Sequence, residues 1–128
     1  MRWIRQIAWV LLLSGCASGL NRPIVTARAE PDAQGVQRVV VHMHSFYFEP
    51  NRIEVRANHP VELEVQNKAR FVPHNFTIMD PALHVSAGAW LGSARLRFTP
   101  TTAGTYKFFC HVDGHAKKGM TGTLVVTP

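Results

Sequence analysis

Apolar and polar residues alternate along most of the chain from Val36 onwards. The alternation is clear in VQRVVVHMH (36–44), RIEVRA (52–57) and VELEVQ (61–66), where β-branched residues are frequent. Successive side chains of a strand point to opposite faces, so a period of two predicts strands with one buried face. No run with helical periodicity longer than two turns occurs in this part of the sequence. The pattern predicts an all-β protein.

The second half of the chain continues the pattern with four further strand-like runs. These are HNFTIMD (74–80), SARLRF (93–98), TYKFFC (105–110) and TGTLVVT (121–127). Residues 81–92 are rich in Pro, Gly and Ala and predict an irregular connection, held to the body by Trp90 and Leu91. Seven to eight short strands with turn residues between them predict an antiparallel Greek-key β-sandwich.

The first 15 residues have the composition of an export signal. Arg2 and Arg5 precede an apolar run, Ile7 to Leu13, that is too short to span a bilayer. The sequence LSGC at 13–16 resembles the lipobox of bacterial lipoproteins, which implies cleavage before Cys16 and attachment of lipid to it. An ordinary secretory signal is the alternative, and both interpretations export the protein.

Residues 16–35 predict a lipidated N-terminus and a flexible tether, followed by one folded domain over residues 36–128. An extra edge strand beginning at Ile24 and Val25 is the alternative for part of the tether. Lipid at Cys16 would place the domain in the periplasm on a membrane surface. Ala17 after this cysteine is consistent with sorting to the outer membrane of bacteria that have two membranes.

Charge and cysteine content narrow the possible functions. The whole chain carries a formal net charge of +6, and removal of Arg2 and Arg5 with the signal would leave 12 basic and 8 acidic residues. No basic stripe interleaved with aromatic residues appears, so nucleic-acid binding is not predicted. With Cys16 lipidated, Cys110 would be the remaining thiol and could not form an internal disulfide. Metal binding is then the obvious role for it.

Four metal-binding side chains support that role. Cys110, His115 and Met120 follow one another at intervals of five residues, and His74 lies upstream in the run FVPHNF. Two imidazoles, one thiolate and one thioether form the donor set of a trigonal copper site with a weak axial methionine. Because strand-like runs flank this loop on both sides, its ends would be fixed by the sheet.

The motifs VPHNF and YKFFCHVDGHAKKGMTGTLVV resemble those of the cupredoxins, the blue copper proteins of the plastocyanin, azurin and auracyanin type. The resemblance covers about Val36 to Thr127, with FYFEPNRIEV similar to the early strands of the family. It implies one copper ion per chain, held by His74, Cys110 and His115 with Met120 as the long axial ligand.

The resemblance also implies roles for neighbouring residues. The carbonyl of Pro73 would approach the metal from the other side, and Asn75 would hydrogen-bond toward the cysteine loop and hold it closed. The solvent-facing edge of His115, ringed by Val112 and Ala116, would be the electron port. The implied function is single-electron transfer, without catalysis, between redox proteins that dock transiently on a monomer.

Two other functions remain open from the sequence. A copper chaperone or storage lipoprotein could use the same ligands, with His42 and His44 as a second, labile site on one strand face. An oxidase or nitrite reductase would need a second copper centre, for which His111 beside Cys110 offers only part of the ligands. Asp113 stands where the family often has proline, which predicts a less stiff loop.

Overall fold

The computed structural model describes residues 20–128, and the predicted signal segment and Cys16 lie outside this range. Ten strands and one 3₁₀ helix, Ala116–Lys118, form the described chain. No helix in residues 20–128 is both long enough and apolar enough to cross a membrane. The strands are β1 (Thr26–Arg28), β2 (Gln37–His44), β3 (Tyr47–Glu49), β4 (Arg52–Arg56), β5 (Val61–Asn67), β6 (His74–Asp80), β7 (Leu83–Ala89), β8 (Gly92–Phe98), β9 (Gly104–Phe109) and β10 (Thr121–Thr127).

The strands form two sheets whose apolar faces pack together. One sheet has six strands in the order β1-β4-β10-β9-β6-β7, and the other has four in the order β3-β2-β5-β8. The predicted all-β, two-sheet sandwich is confirmed. Pairing is mixed, however, because β10 and β1 run parallel to β4, and β2 runs parallel to β5.

The predicted tether is wrong from Thr26 onwards. Thr26–Arg28 pairs in parallel with β4, and the backbone N–H of Ala29 continues the pairing to the carbonyl of Glu54. A turn follows in which the carboxylate of Asp32 accepts hydrogen bonds from the backbone of Gln34 and Val36. The alternative of an extra edge strand therefore describes this segment better.

The segment predicted to be an irregular connection contains a strand. Leu83–Ala89 pairs with β6 along its whole length, and Leu83 is buried against the core. Trp90 and Leu91, expected to hold the segment to the body, are instead 62% and 68% exposed. Strand β7 therefore covers the outer edge of β6.

Three phenylalanines join the sheets beneath the end of the sandwich where β6 begins. Phe76 and Phe108 stack with ring centroids 4.5 Å apart, and Phe48 of the other sheet meets Phe108 edge to face at 5.2 Å. All three are almost completely buried. Gly122 lies under Phe108, where a Cβ would overlap the phenyl ring. This packing fixes β6 and β9 relative to each other.

Candidate metal centre

Strand pairing brings His74 and Cys110 to the same edge of the six-stranded sheet. β6 and β9 are antiparallel, with Ile78 opposite Phe108, so the start of β6 lies beside the end of β9. His74 is the first residue of β6, and Cys110 directly follows β9. Their exposures are 2% and 0%, so both donors lie inside the end of the sandwich.

His115 completes a group of three buried donors. One ligand atom from each of His74, Cys110 and His115 can be chosen so that all lie within 4.8 Å of one another. The Sγ atom of Cys110 is 3.5 Å from Nδ1 of His115 and 3.9 Å from Nδ1 of His74. The structure therefore brings together three of the four predicted ligands. A thiolate and two imidazoles converging in a closed space fit a copper ion.

The loop from Cys110 to Met120 is closed by its own backbone. The N–H of Cys110 donates to the carbonyl of Met120 at 3.1 Å, and the N–H of Met120 donates to the carbonyl of His115 at 3.2 Å. Gly114 and Gly119 have φ values of 75° and 94°, which glycine adopts at little cost. Met120 is completely buried, and its backbone is hydrogen-bonded to the backbone of Cys110 and His115.

Burial sets the protonation of the three donors. It is the main cause that lowers the pKa of His74 to about 4, and the charges of His115 and His44 contribute. It also lowers the pKa of His115, with help from the Lys118 ammonium. The pKa of the Cys110 thiol is raised by burial, against hydrogen bonds from the backbone of Asn75 and Val112. Without metal, the imidazoles are therefore neutral at pH 7 and the thiol keeps its proton.

Asn75 links the strand of His74 to the cysteine. Its backbone N–H lies 3.5 Å from Sγ of Cys110, and its side-chain carbonyl accepts a hydrogen bond from the N–H of His111 at 2.8 Å. One residue of β6 thus restrains both the sulfur atom and the first residue of the loop. Pro73 is half-buried and directly precedes His74.

His111 belongs to a hydrogen-bonded network on the other side of Asn75. Its Nδ1 atom lies 2.9 Å from the hydroxyl of Thr77, which is buried and also lies 2.8 Å from the hydroxyl of Ser86. His111 is not part of the group of three donors. Its imidazole ties the loop to β6 and β7, a role that the sequence did not suggest.

Phe46 is a residue of the centre that sequence reasoning missed. Its ring meets His115 edge to face with centroids 5.0 Å apart and His74 at 6.4 Å. The ammonium of Lys118 lies 4.0 Å from the centroid of the Phe46 ring. His115 is only 8% exposed, so Phe46 covers part of the edge predicted to be the electron port.

The backbone of Phe46 explains why no sequence signal marked it. It ends the two-residue turn between β2 and β3 with a φ of 68°, a conformation that phenylalanine rarely adopts. The segment SFYFEP (45–50) forms this turn and then β3. Turn residues with a positive φ can usually be predicted because they are glycine or asparagine. A phenylalanine at such a position gives no signal in the sequence.

His42 and His44 lie on one face of β2, as their spacing predicted. Their ring centroids are 6.1 Å apart, and His44 stacks on Tyr47 at 4.5 Å. The guanidinium of Arg22 lies over the other face of the Tyr47 ring. Within residues 20–128, one group of three metal-binding side chains is found, and it consists of His74, Cys110 and His115. The pair His42 and His44 therefore has no third ligand close by among these residues.

Comparisons with known proteins agree with the fold. The family described as Cupredoxin-like domain matches residues 6–126. Auracyanin from Roseiflexus castenholzii is similar in structure, with a TM-score of 0.64 and 17% identity over 76% of this chain and all of that one. Reduced rusticyanin has a TM-score of 0.60 and 25% identity over 80% of this chain and 84% of its own.

A third similar structure is the metal-binding domain of the Cu(I)-exporting P-type ATPase CopA from Streptococcus pneumoniae. It has a TM-score of 0.64 and 16% identity, covering 84% of this chain and all of that domain. A comparison with curated protein sequences found no match. One copper ion is the cofactor that the family and the donors His74, Cys110 and His115 imply. Since the family match spans nearly the whole sequence, this chain belongs to the cupredoxin-like domain family.

Proposed function

We propose that this chain carries single electrons by means of one copper ion held by His74, Cys110 and His115, with Met120 as the weak axial ligand. The observation that carries the proposal is the convergence of three buried donors at one end of the sandwich. Bound copper would supply a one-electron couple between its +1 and +2 states. A mixed set of soft and borderline donors suits both states.

The surrounding residues hold the donors in place during such a change of charge. Strands β6 and β9 fix His74 and Cys110, and the N–H of Asn75 points at the sulfur atom from 3.5 Å. A thiolate held by a fixed donor needs little rearrangement when the charge beside it changes. We also propose that the carbonyl of Pro73, the residue directly before His74, would approach the bound copper.

Enclosure of the donors favours electron transfer over copper delivery. Cys110 and Met120 are fully buried, and Phe46 covers His115. A chaperone or storage protein has to pass metal to a partner, which requires access to at least one donor. Electrons need no such opening. The same enclosure argues against a catalytic role, since a substrate would have to reach the metal.

We further propose that the protein is exported and attached to a membrane by lipid on Cys16, with redox proteins as transient partners of a monomer. The support is the LSGC sequence at 13–16 and the single remaining thiol, Cys110. Growth with labelled palmitate should label the wild-type chain and leave Cys16→Ser unlabelled. Equal labelling of both, or of neither, would contradict lipid attachment at this residue.

A redox titration with Met120→Leu tests the proposed function. The wild-type protein should bind one copper and exchange one electron per chain reversibly, and it should keep its metal during prolonged exposure to a chelator. Met120→Leu should retain copper and shift the reduction potential, because a weak axial ligand tunes the potential without holding the metal alone. Rapid loss of copper from the wild type, with slow electron exchange, would favour the chaperone or storage function.

A further inference from the structure

Two loops beside His74 expose large apolar side chains. Phe71, in the loop between β5 and β6, is 80% exposed, and Trp90 and Leu91, between β7 and β8, are 62% and 68% exposed. We call Phe71, Trp90 and Leu91 the loop patch. Trp90 directly follows Ala89, which pairs with His74 across β6 and β7. The loop patch therefore lies at the same end of the sandwich as the metal centre.

Asn67 holds the two loops together. Its side-chain amide nitrogen lies 2.8 Å from the carbonyl of Val72, 3.1 Å from that of Ala89 and 2.9 Å from that of Trp90. Its side-chain oxygen accepts a hydrogen bond from the N–H of Ala69 at 2.9 Å. A single side chain thus ties both loops to the end of β5. The loop patch is a fixed surface, which lowers the entropic cost of binding a partner.

Packing within the described part of the chain does not explain why Phe71, Trp90 and Leu91 are exposed in these two loops. The three side chains bury little area, and Phe71 adopts a φ of 60° that is unfavourable for phenylalanine. Neighbouring apolar side chains left in water commonly mark interaction sites, and strained backbone is often found at functional positions. Tryptophan and phenylalanine are also residue types enriched in the centres of protein interfaces.

The charges around the loop patch indicate the kind of partner. Lys68 and Arg70 are exposed in the same loop as Phe71, and residues 68–73 and 90–92 contain no acidic residue. Neither Lys68 nor Arg70 forms an ion pair within the described part of the chain. Unpaired cations at the rim of an apolar surface attract a partner with an acidic rim and speed its association.

We infer that the loop patch, with Lys68 and Arg70, is the docking surface for a redox protein that presents an apolar centre with acidic residues around it. The inference rests on the proposed electron-transfer function and names its partner surface. A partner docked here would lie close to His74. The loop between β5 and β6 ends at His74, and the loop between β7 and β8 begins after Ala89, which pairs with His74. Phe46 covers the side of His115, so the approach at His74 differs from the port expected at the other imidazole.

Electron-transfer rates with an acidic c-type cytochrome as the probe test the inference. The copper-loaded, reduced protein is mixed with the oxidised cytochrome at ionic strengths from about 0.01 to about 0.5 M. Lys68→Glu/Arg70→Glu should lower the second-order rate at low ionic strength about tenfold, and the difference should vanish at high ionic strength. Trp90→Ser/Leu91→Ser should lower the rate about tenfold at every ionic strength.

Matched controls change similar residues elsewhere on the surface. Lys107→Glu reverses an exposed charge on β9, and Met79→Ser removes an apolar side chain of β6 that is 64% exposed. Both should react with the cytochrome within about twofold of the wild-type rate at matched ionic strength. Equal rates for the loop variants and the controls, or no reaction of the wild type with the cytochrome, would overturn the docking inference.

Two further measurements separate this inference from other accounts. Oxidation by a small inorganic reagent at high ionic strength should be the same for all variants, and its complete absence in the wild type would refute the electron-transfer function itself. Aromatic and basic residues also suit an anionic membrane. If the loop variants lost binding to vesicles containing anionic phospholipid but kept the wild-type rate with the cytochrome, the surface would face lipid and the proposed partner would be wrong.

Discussion

At the scale of single residues, burial keeps both imidazoles of the centre in the neutral form that binds metal. Burial lowers the pKa values of His74 and His115, so both imidazoles are neutral at pH 7 and each has a ring nitrogen free to bind metal. The Cys110 thiol has a raised pKa and must lose its proton when metal binds. Binding therefore releases about one proton, and copper affinity should rise with pH up to the pKa of the thiol.

The lowered pKa of His74 also makes the stability of the metal-free protein depend on pH. Its pKa of about 4 in the folded chain lies below the ordinary histidine value of 6.5, so the unfolded state binds more protons between these values. The stabilisation is complete above pH 6.5 and is lost as the pH falls toward about 4. Denaturant unfolding of the metal-free wild type should show a steeper loss of stability over this range than His74→Gln. Parallel pH profiles would contradict the assignment.

Phe46 has an unfavourable backbone conformation and covers His115. Its replacement should therefore affect both the free energy of unfolding and the rate of copper loss. Asparagine tolerates a φ near 68°, so Phe46→Asn should keep or raise the free energy of unfolding, by up to about 1–2 kcal/mol. Loss of the ring should expose His115 and increase the rate of copper loss to a chelator about tenfold.

Phe71→Asn is the matched control for Phe46→Asn. Phe71 also has a positive φ, of 60°, but it is 80% exposed and lies in the loop before β6. This variant should show the same relief of strain without faster copper loss. If both variants retained copper equally well, Phe46 would not protect the centre.

The residues of the centre differ in how well the sequence predicts them. The grouping of His74, Cys110 and His115 was predictable, because histidine and cysteine are common metal ligands and strand-like runs mark their positions. The contact between Phe46 and His115 was not, because it depends on a turn with positive φ and on how one sheet lies over the other. The contact of His111 with Thr77 was not predictable either, because it depends on how the loop packs against β6.

At the scale of elements, β7 shows why an alternating pattern can be missed. Its inward residues after Leu83 and Val85 are Ala87 and Ala89, and its outward ones include Gly88. Alanine and glycine have low strand propensity, so the segment resembles a loop. Pairing with β6 along the whole length overrides that weak preference. The parallel pairings of β4 with β1 and β10, and of β5 with β2, could not be predicted either. A period of two indicates a strand but does not indicate which strand it pairs with.

Gly88 of β7 supports the centre through close packing against β6. A Cβ at this position would come within 2.8 Å of Cβ of Asn75 and 2.9 Å of the carbonyl oxygen of His74. Gly88→Ala should therefore displace Asn75, lower the free energy of unfolding by about 1–3 kcal/mol and shift the reduction potential. His84→Ala changes an exposed residue on the same face of β7 and should alter neither quantity. An unchanged potential in Gly88→Ala would show that Asn75 does not depend on this contact.

At the scale of the whole molecule, the sandwich concentrates its chemistry at one end. The phenylalanine cluster of Phe48, Phe76 and Phe108 joins the two sheets there and fixes the strands that carry His74 and Cys110. The ligand loop, Phe46 and the loop patch surround the same end. Since these groups come from distant parts of the chain, only the complete fold brings them together. The sequence predicted the sandwich and the donors, but it did not indicate the exposed loop patch, because its members lie in two loops that only the fold brings to this end.

We expect one copper ion to be bound by the thiolate of Cys110 in a site with His74 and His115. The most direct measurement is the visible absorption spectrum of the Cu(II)-loaded protein before and after reduction, compared with Cys110→Ser and with His111→Gln. The wild type and His111→Gln should show an intense absorption that vanishes on reduction, and Cys110→Ser should lack it. A colourless Cu(II)-loaded wild type, or undiminished colour in Cys110→Ser, would contradict the account.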